Sequence, residues 1–262
     1  MRIGAVLGLA CVLMTSACGG SGPPNSANAN AVLSGNWQIV LAGTETSSSG
    51  SSTNIESGFI MQSGNSLAGS ILLSGATPCP GLGTVSGTVS GSNVAITVDQ
   101  IGQTVTLTAH AASDTSMTGD YSILASGCGS STVGTFTATQ VKPLSGNFQA
   151  TFTSGEFIGQ VYNFSGSLTQ GPNTGMNYAT LSGTMSSSNA PCIKTFSIAG
   201  QVSGTSVLFN FLGSDGSAQG QYRGTTTTDG ITLTGTYDFL AQSNGCFGDA
   251  GTVTMSFQPP SM

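Results

Sequence analysis

The chain is an internal duplication, and this feature limits its fold more than any other. Residues 33–38, with the sequence LSGNWQ, return 111 positions later (144 − 33) as residues 144–149, LSGNFQ. Residues 85–91 and 117–121 return in the same order as residues 198–204 and 233–237. Such self-similarity marks repeated structural units. The sequence therefore predicts two units, 33–141 and 144–258, joined through Lys142 and Pro143.

Both units have the composition of β-strands and turns. The chain has 39 Gly and only 5% charged residues, which excludes long amphipathic helices. Apolar and polar residues alternate with period two, as in Val94, Ile96 and Val98, the pattern of half-buried strands. Glycines in triplets such as residues 85–87 are interpreted as turn or bulge residues. In the first unit we predict strands at 34–42, 56–62, 67–74, 83–89, 93–99, 103–110, 117–125 and 133–141.

Hairpin-linked strands with one apolar face must close on themselves or pack as two sheets, and closure removes exposed edges. The predicted fold is all-β, with two tandem antiparallel eight-stranded up-and-down β-barrels; β-sandwiches are the alternative. LSGNW at residues 33–37, followed by a meander ending in GTFT at 134–137, resembles the calycin-type barrels of lipocalins and avidins. The resemblance implies that Trp37 closes the base of the first barrel and that Phe148 takes its place in the second. Avidin's ligand-contacting side chains cannot be placed on this sequence, so biotin binding is not implied.

The N-terminus has the layout of an export signal. Arg2 precedes an apolar run from Ile3 to Met14, which is shorter than the roughly 20 residues that span a bilayer. The small residues before Cys18 resemble the lipobox of bacterial lipoproteins, which implies cleavage after residue 17 and lipidation of Cys18; Gly19 implies the outer membrane. The alternative is an ordinary secretory signal that leaves Cys18 as a free thiol. We expect residues 18–32 to form a flexible tether.

Four further cysteines occupy equivalent places in the two units, Cys79 with Cys128 and Cys192 with Cys246. An exported protein favours disulfides over free thiols. Because each unit must have closed its own bridge before duplication, we predict the pairs Cys79–Cys128 and Cys192–Cys246.

No pattern of catalytic residues is visible. The one histidine, His110, is in phase with Thr106 and Thr108 and is expected to face solvent. The ten carboxylates form no metal-binding or glycosidase pattern. We therefore expect no enzyme activity, no cofactor and no metal site. A net charge of −6 also argues against nucleic-acid binding.

The second unit is rich in aromatic residues, most of which are expected to fill its barrel: Phe148, Phe152, Phe157, Tyr162, Phe164, Tyr178, Phe196, Phe209, Phe211, Tyr222, Tyr237 and Phe239. The expected function is that of a non-catalytic, lipid-anchored cell-envelope or surface protein, a scaffold or adhesin-like module. Its partners would be the membrane, through the N-terminal lipid, and a protein that the sequence does not identify. The alternative is a carrier or receptor that binds a small apolar or carbohydrate ligand in a barrel mouth, in particular the second.

Overall fold

The computed structural model describes residues 30–43, 53–74, 79–127, 131–190, 194–214, 216–240 and 248–258, and these residues form strands, turns and loops without a helix. The first unit contains eight strands: β1 (Gly35–Gly43), β2 (Thr53–Ser63), β3 (Ser66–Leu73), β4 (Gly81–Ser90), β5 (Asn93–Gln100), β6 (Gln103–Ser113), β7 (Ser116–Ala125) and β8 (Thr132–Val141). The second contains β9 (Gly146–Ser154), β10 (Val161–Gln170), β11 (Ala179–Ser187), β12 (Thr195–Ser203), β13 (Ser206–Leu212), β14 (Ala218–Thr226), β15 (Thr232–Phe239) and β16 (Asp249–Phe257).

Each set of eight strands is a closed antiparallel barrel in meander order. β8 returns to pair with β1, from Asn36 opposite Val141 to Gly43 opposite Gly134. In the same way β16 returns to β9. The predicted fold class is confirmed, and the strands do not form the alternative β-sandwiches. Below, the end of each barrel at which β1 or β9 begins is called the base, and the opposite end is called the mouth.

Alternation places one face of each strand inside its barrel. In β6, Val105 and Leu107 are buried, whereas Thr106, Thr108 and His110 are exposed. Each barrel encloses its own apolar cluster. One residue crosses this division, because Phe59 of β2 packs in the cluster of the second barrel.

Several glycines lie in the middle of strands. Gly87 belongs to β4 and pairs with Ile96 of β5, so its interpretation as a turn or bulge residue is wrong. A Cβ on Gly87 would overlap the carbonyl oxygen of Ala95 and lie 3.1 Å from the Cα of Ile96. Glycine at this position lets neighbouring backbones approach closely where the barrel curves. The β4–β5 turn contains Gly91, with φ of +59°.

The two barrels touch near their bases. The side-chain amide of Asn36 donates to the carbonyl oxygen of Gly204 (2.8 Å) and its Oδ1 accepts from the Gly204 N–H (2.7 Å). Ser57 and Ser203 share a hydroxyl hydrogen bond of 3.1 Å. Beside the linker, the N–H of Lys142 donates to the carbonyl oxygen of Thr228 (2.9 Å).

Candidate functional site

The aromatic residues assigned to the barrel bases lie inside them. Trp37 is fully buried, and its indole N–H donates to the carbonyl oxygen of Leu33 (2.8 Å). Ile39 and Leu41 are buried on the same face of β1. Phe148 is buried in the second barrel with its ring centroid 5.7 Å from that of Phe257. Both aromatic side chains are therefore packing groups in the described structure.

The predicted lipidation site and most of the cysteines predicted to form disulfides are not among the described residues. Cys18, Cys128, Cys192 and Cys246 fall outside the described residues. Cys79 is buried and disulfide-bonded. The proposed pairs Cys79–Cys128 and Cys192–Cys246 stay predictions.

Metal-binding groups are not brought together in the part of the chain that the structure describes. His110 is exposed on the outer face of β6. No cluster of three or more His, Cys, Asp or Glu side chains that could hold a metal occurs among the described residues. The described residues also include no helix with the length and apolarity to cross a bilayer.

Aromatic rings fill the mouth half of the second barrel. Phe152 contacts Phe164 and Tyr237 edge-on, each with ring centroids 4.9 Å apart. Phe239 stacks on Phe196 at 5.2 Å. Two of the aromatic residues expected in this interior lie outside it. Phe157 is in the β9–β10 loop and is 42% exposed, and Tyr178 is half-buried in the β10–β11 connection, outside the core cluster.

A buried polar network lies beside these rings. Asp249 accepts hydrogen bonds from the Ser154 hydroxyl and the Tyr237 hydroxyl, both at 2.6 Å. Ser154 Oγ in turn accepts from the N–H of Phe157 (2.8 Å). Burial, together with the Asp249 carboxylate, raises the pKa of Tyr237 above its usual range. The network ties the β9–β10 loop to β15 and β16.

The first barrel contains a buried carboxyl group that the sequence analysis did not single out. Glu56 of β2 is 1% exposed and faces a cavity of about 10 Å³ with aliphatic walls, at the lower limit for one water molecule. Its Oε2 accepts from the N–H of Ser74, whereas its Oε1 has no hydrogen-bond partner among the described residues. Burial raises the pKa of Glu56 to about 7, and the Ser74 bond opposes this. Oδ1 of the neighbouring inward residue Asn54 is also buried without a partner.

The internal repeat identifies the residue of the second barrel that corresponds to Glu56. Glu56 pairs with Ile39, and Phe164 pairs with Ala150, the repeat counterpart of Ile39. Phe164 is thus the counterpart of Glu56. By the same register, smaller residues of the first barrel replace other aromatic rings of the second: Leu41 for Phe152, Gly83 for Phe196, Val98 for Phe211 and Ile123 for Phe239.

The sequence carried a signal for Glu56. Asn54, Glu56, Gly58 and Ile60 alternate in one phase of β2, and Ile60 is buried in the first barrel. A carboxylate in phase with a buried isoleucine predicts an inward-facing acid. The alternation pattern is a weaker predictor of an inward position for Asp249, because Asp249 is the first residue of β16.

Exposed apolar side chains gather around the mouths. In the first barrel they follow the mouth ends of the strands and the β5–β6 turn: Ile55, Leu72, Leu82, Ile101, Leu124 and Val133. In the second barrel they are Phe157, Ile158, Val161 and Leu240. We call these two sets the mouth rims. Ile101 and Ile158 are each 97% exposed.

The outer face of the second barrel carries an open, polar depression of about 630 Å³. Hydroxyl and amide side chains of β9 to β12 line it, among them Asn147, Gln149, Ser165, Ser167, Thr184 and Ser186. None of the described residues that line this depression carries a charge. The surface suits hydrogen bonding to a neutral polar ligand.

Comparisons with known proteins give distant structural likenesses. No protein-family model and no curated protein matches the chain. Intact Ap-TbpB, with its N and C lobes, aligns with 10% identity and a TM-score of 0.25 over 88% of this chain and 77% of that one. A double mutant of the vaccine antigen transferrin binding protein B from Haemophilus parasuis Hp5 aligns at 9% identity and 0.25, over 87% and 76%. A DUF3598-family protein of unknown function from Nostoc punctiforme aligns at 9% and 0.23, over 86% and 96%. At these scores the likenesses do not indicate what this chain binds.

Proposed function

We propose that this chain is a non-catalytic, lipid-anchored protein of the cell envelope, exported and held at the outer membrane through Cys18, that acts as a scaffold or adhesin-like module. The observation that carries the proposal is that, among the described residues, apolar side chains pack together inside each barrel. The cavity at Glu56 measures about 10 Å³, whereas small-molecule sites usually measure roughly 300 Å³ or more. The described interiors therefore favour a structural role over a carrier.

The mouth rims are the surfaces through which such a module would meet a protein partner. Surface aliphatic residues scattered singly are ordinary, whereas neighbouring ones can mark an interaction site; in the first rim, the exposed Leu72 and Leu82 pair directly across β3 and β4. The rims lie away from the barrel bases, where residues 30–34 enter the first barrel. A tether at residues 18–32 would let the rims reach beyond the membrane surface.

Native mass spectrometry of the protein purified from its host tests the choice between scaffold and carrier. We expect the folded mass to equal that of the processed, lipid-modified chain, with no retained small molecule. Intact mass of the mature N-terminus tests the anchor, and Cys18→Ser should release the protein from the membrane fraction. A stoichiometric bound ligand would contradict the scaffold role, and an unmodified Cys18 would contradict the anchor.

A second candidate function is carbohydrate binding, and the polar depression on the outer face of the second barrel favours it. Its neutral hydroxyl and amide lining matches the hydrogen-bonding groups of a sugar. If oligosaccharides bind there, Ser165→Arg should abolish binding by filling the depression. Thr106→Arg, on the outer face of the first barrel, is the matched control and should bind normally. Equal loss in both variants would reject this site.

A further inference from the structure

Glu56 is placed where a barrel interior has no structural need for a carboxyl group. Seven aliphatic side chains line the cavity around it: Ile39, Leu41, Ile71, Leu73, Val98, Val105 and Leu107. Its counterpart Phe164 shows that an aromatic ring fills the same position in the second barrel. The acid and the smaller neighbouring residues leave a cavity that the second barrel fills with rings.

The surroundings provide no positive charge. The walls contributed by β1, β3, β5 and β6 are aliphatic. Among the described residues on the inward face at this height, the other ionisable side chain is Tyr121 of β7, whose hydroxyl lies towards Gly43. Asp99, at the mouth end of β5, points outwards and is exposed. An ionised Glu56 would therefore be a buried carboxylate without a cationic partner, which is strongly unfavourable.

Polar side chains lie between the cavity and the mouth end of β6. Gln103 lies one inward position nearer the mouth than Val105 and is buried. Its side-chain amide donates to the carbonyl oxygen of Cys79 and to Oε1 of Gln100, and its own Oε1 accepts from the N–H of Cys79 (3.3 Å). These bonds tie the start of β6 to the backbone of Cys79 and add no charge beside Glu56.

We propose that Glu56 is a proton-controlled switch in the first barrel: its mouth half is closed and dry while the carboxyl is protonated, and opens to water when the carboxylate forms. Ionisation creates a group that needs several hydrogen-bond donors, and the cavity walls offer none. The mouth ends of β2, which carries Glu56, and of its neighbour β3 therefore separate from the cavity so that water can reach the carboxylate. The second barrel, with Phe164 at this position, does not respond.

The direction of the switch follows from proton linkage. A carboxyl whose pKa is raised in the closed state stabilises that state at low pH, and this contribution is lost as pH rises. With a closed-state pKa of about 7 against an ordinary 4.5, the ratio of open to closed states rises roughly 30-fold between pH 5.5 and pH 8.5. Ile55 and Leu72 neighbour the moving segment, so opening also rearranges the mouth rim of the first barrel.

Hydrogen exchange on the full chain at pH 5.5 and pH 8.5, corrected for intrinsic exchange, tests the switch. We expect amides at the mouth ends of β2 and β3 to lose protection by roughly 30-fold at the higher pH, while those of β10 and β11 keep theirs. In Glu56→Gln and Glu56→Leu the ratio between the two pH values should fall to about one, whatever the absolute stability of each variant.

Glu156→Gln is the matched control, because Glu156 is exposed in the β9–β10 loop; it should behave as the unsubstituted chain. Protection in β2 and β3 that is the same at both pH values in the unsubstituted chain would overturn the proposal. So would a pH response that survives in both Glu56 variants, or one that appears equally in the second barrel.

Discussion

Two tyrosines of the second barrel are both buried, yet their hydroxyls are in opposite situations. Tyr237 donates to Asp249 at 2.6 Å. The hydroxyl of Tyr222 is buried and has no hydrogen-bond partner in the described part of the chain, and burial raises the pKa of Tyr222 above the usual range. Tyr237→Phe leaves the buried Asp249 with one donor fewer and should lower the free energy of unfolding by about 1.5–3 kcal/mol. Tyr222→Phe removes an unsatisfied group and should be neutral or stabilising. Urea unfolding of both variants checks this, and a similar loss in both would contradict it.

Glu56 makes a prediction for overall stability as well as for local opening. Its pKa rises from 4.5 to about 7 on folding, so its stabilising contribution is complete below about pH 4.5 and is lost as pH rises through 7. The free energy of unfolding should fall by roughly 2 to 3 kcal/mol between pH 5 and pH 8. In Glu56→Leu this decrease should vanish from chemical-unfolding curves; a decrease of equal size would assign it to other groups.

At the level of single residues, the sequence predicted only part of the candidate site. It placed Trp37 and His110 on their correct faces because both keep the phase of their strands. It did not single out Glu56, because an acidic residue is ordinarily assigned to the surface and the aromatic counterpart Phe164 becomes visible only through the strand register.

Among elements, the strands of the first unit were predictable because period-two alternation is a direct consequence of one buried face. The predicted 103–110 is observed as Gln103–Ser113, and the predicted 56–62 as Thr53–Ser63. The differences lie at strand ends, where hydrogen bonding continues beyond the apolar pattern. Closure was harder to foresee, because it depends on β1 meeting β8, a contact that no local pattern encodes.

Glycines in the middle of strands should be less tolerant of substitution than a glycine in a turn. Gly119 of β7 faces inwards between Met117 and Tyr121, and a Cβ there would overlap the carbonyl oxygen of Thr108 and lie 2.7 Å from the Cα of Ala109. Gly119→Ala must push β6 and β7 apart, so it should destabilise the chain by about 2 kcal/mol or more. Gly64, in the β2–β3 turn, has φ of +59° and open space around it; Gly64→Ala should cost about 1 kcal/mol. Thermal unfolding that ranked them the other way would contradict the close-approach argument.

For the whole molecule, the contact between barrels lay beyond the reach of the sequence. Each unit encloses its own apolar cluster. Which outward-facing residues form the contact depends on how the two folded barrels pack against each other. Phe59 was a weak indication of this contact, because it is an apolar residue next to Ile60 and so breaks the alternation of β2. The structure buries Phe59 against the second barrel. No sequence pattern indicated that Asn36 takes part in the contact. Its repeat counterpart Asn147 has the same sequence neighbours on its N-terminal side and is exposed.

That pair of asparagines offers a controlled test of the contact between the barrels. Asn36 is 3% exposed and both donates to and accepts from the backbone of Gly204, so Asn36→Ala leaves two buried peptide groups unpaired and should cost about 1–3 kcal/mol. The N–H of Gly204 should lose its protection from hydrogen exchange in this variant. Asn147→Ala makes the same chemical change at the exposed repeat position and should leave both quantities unaltered. If Gly204 stays protected without Asn36, or if both substitutions cost the same, this contact does not hold the barrels together, and the contacts of Phe59 and Ser57 with the second barrel must do so.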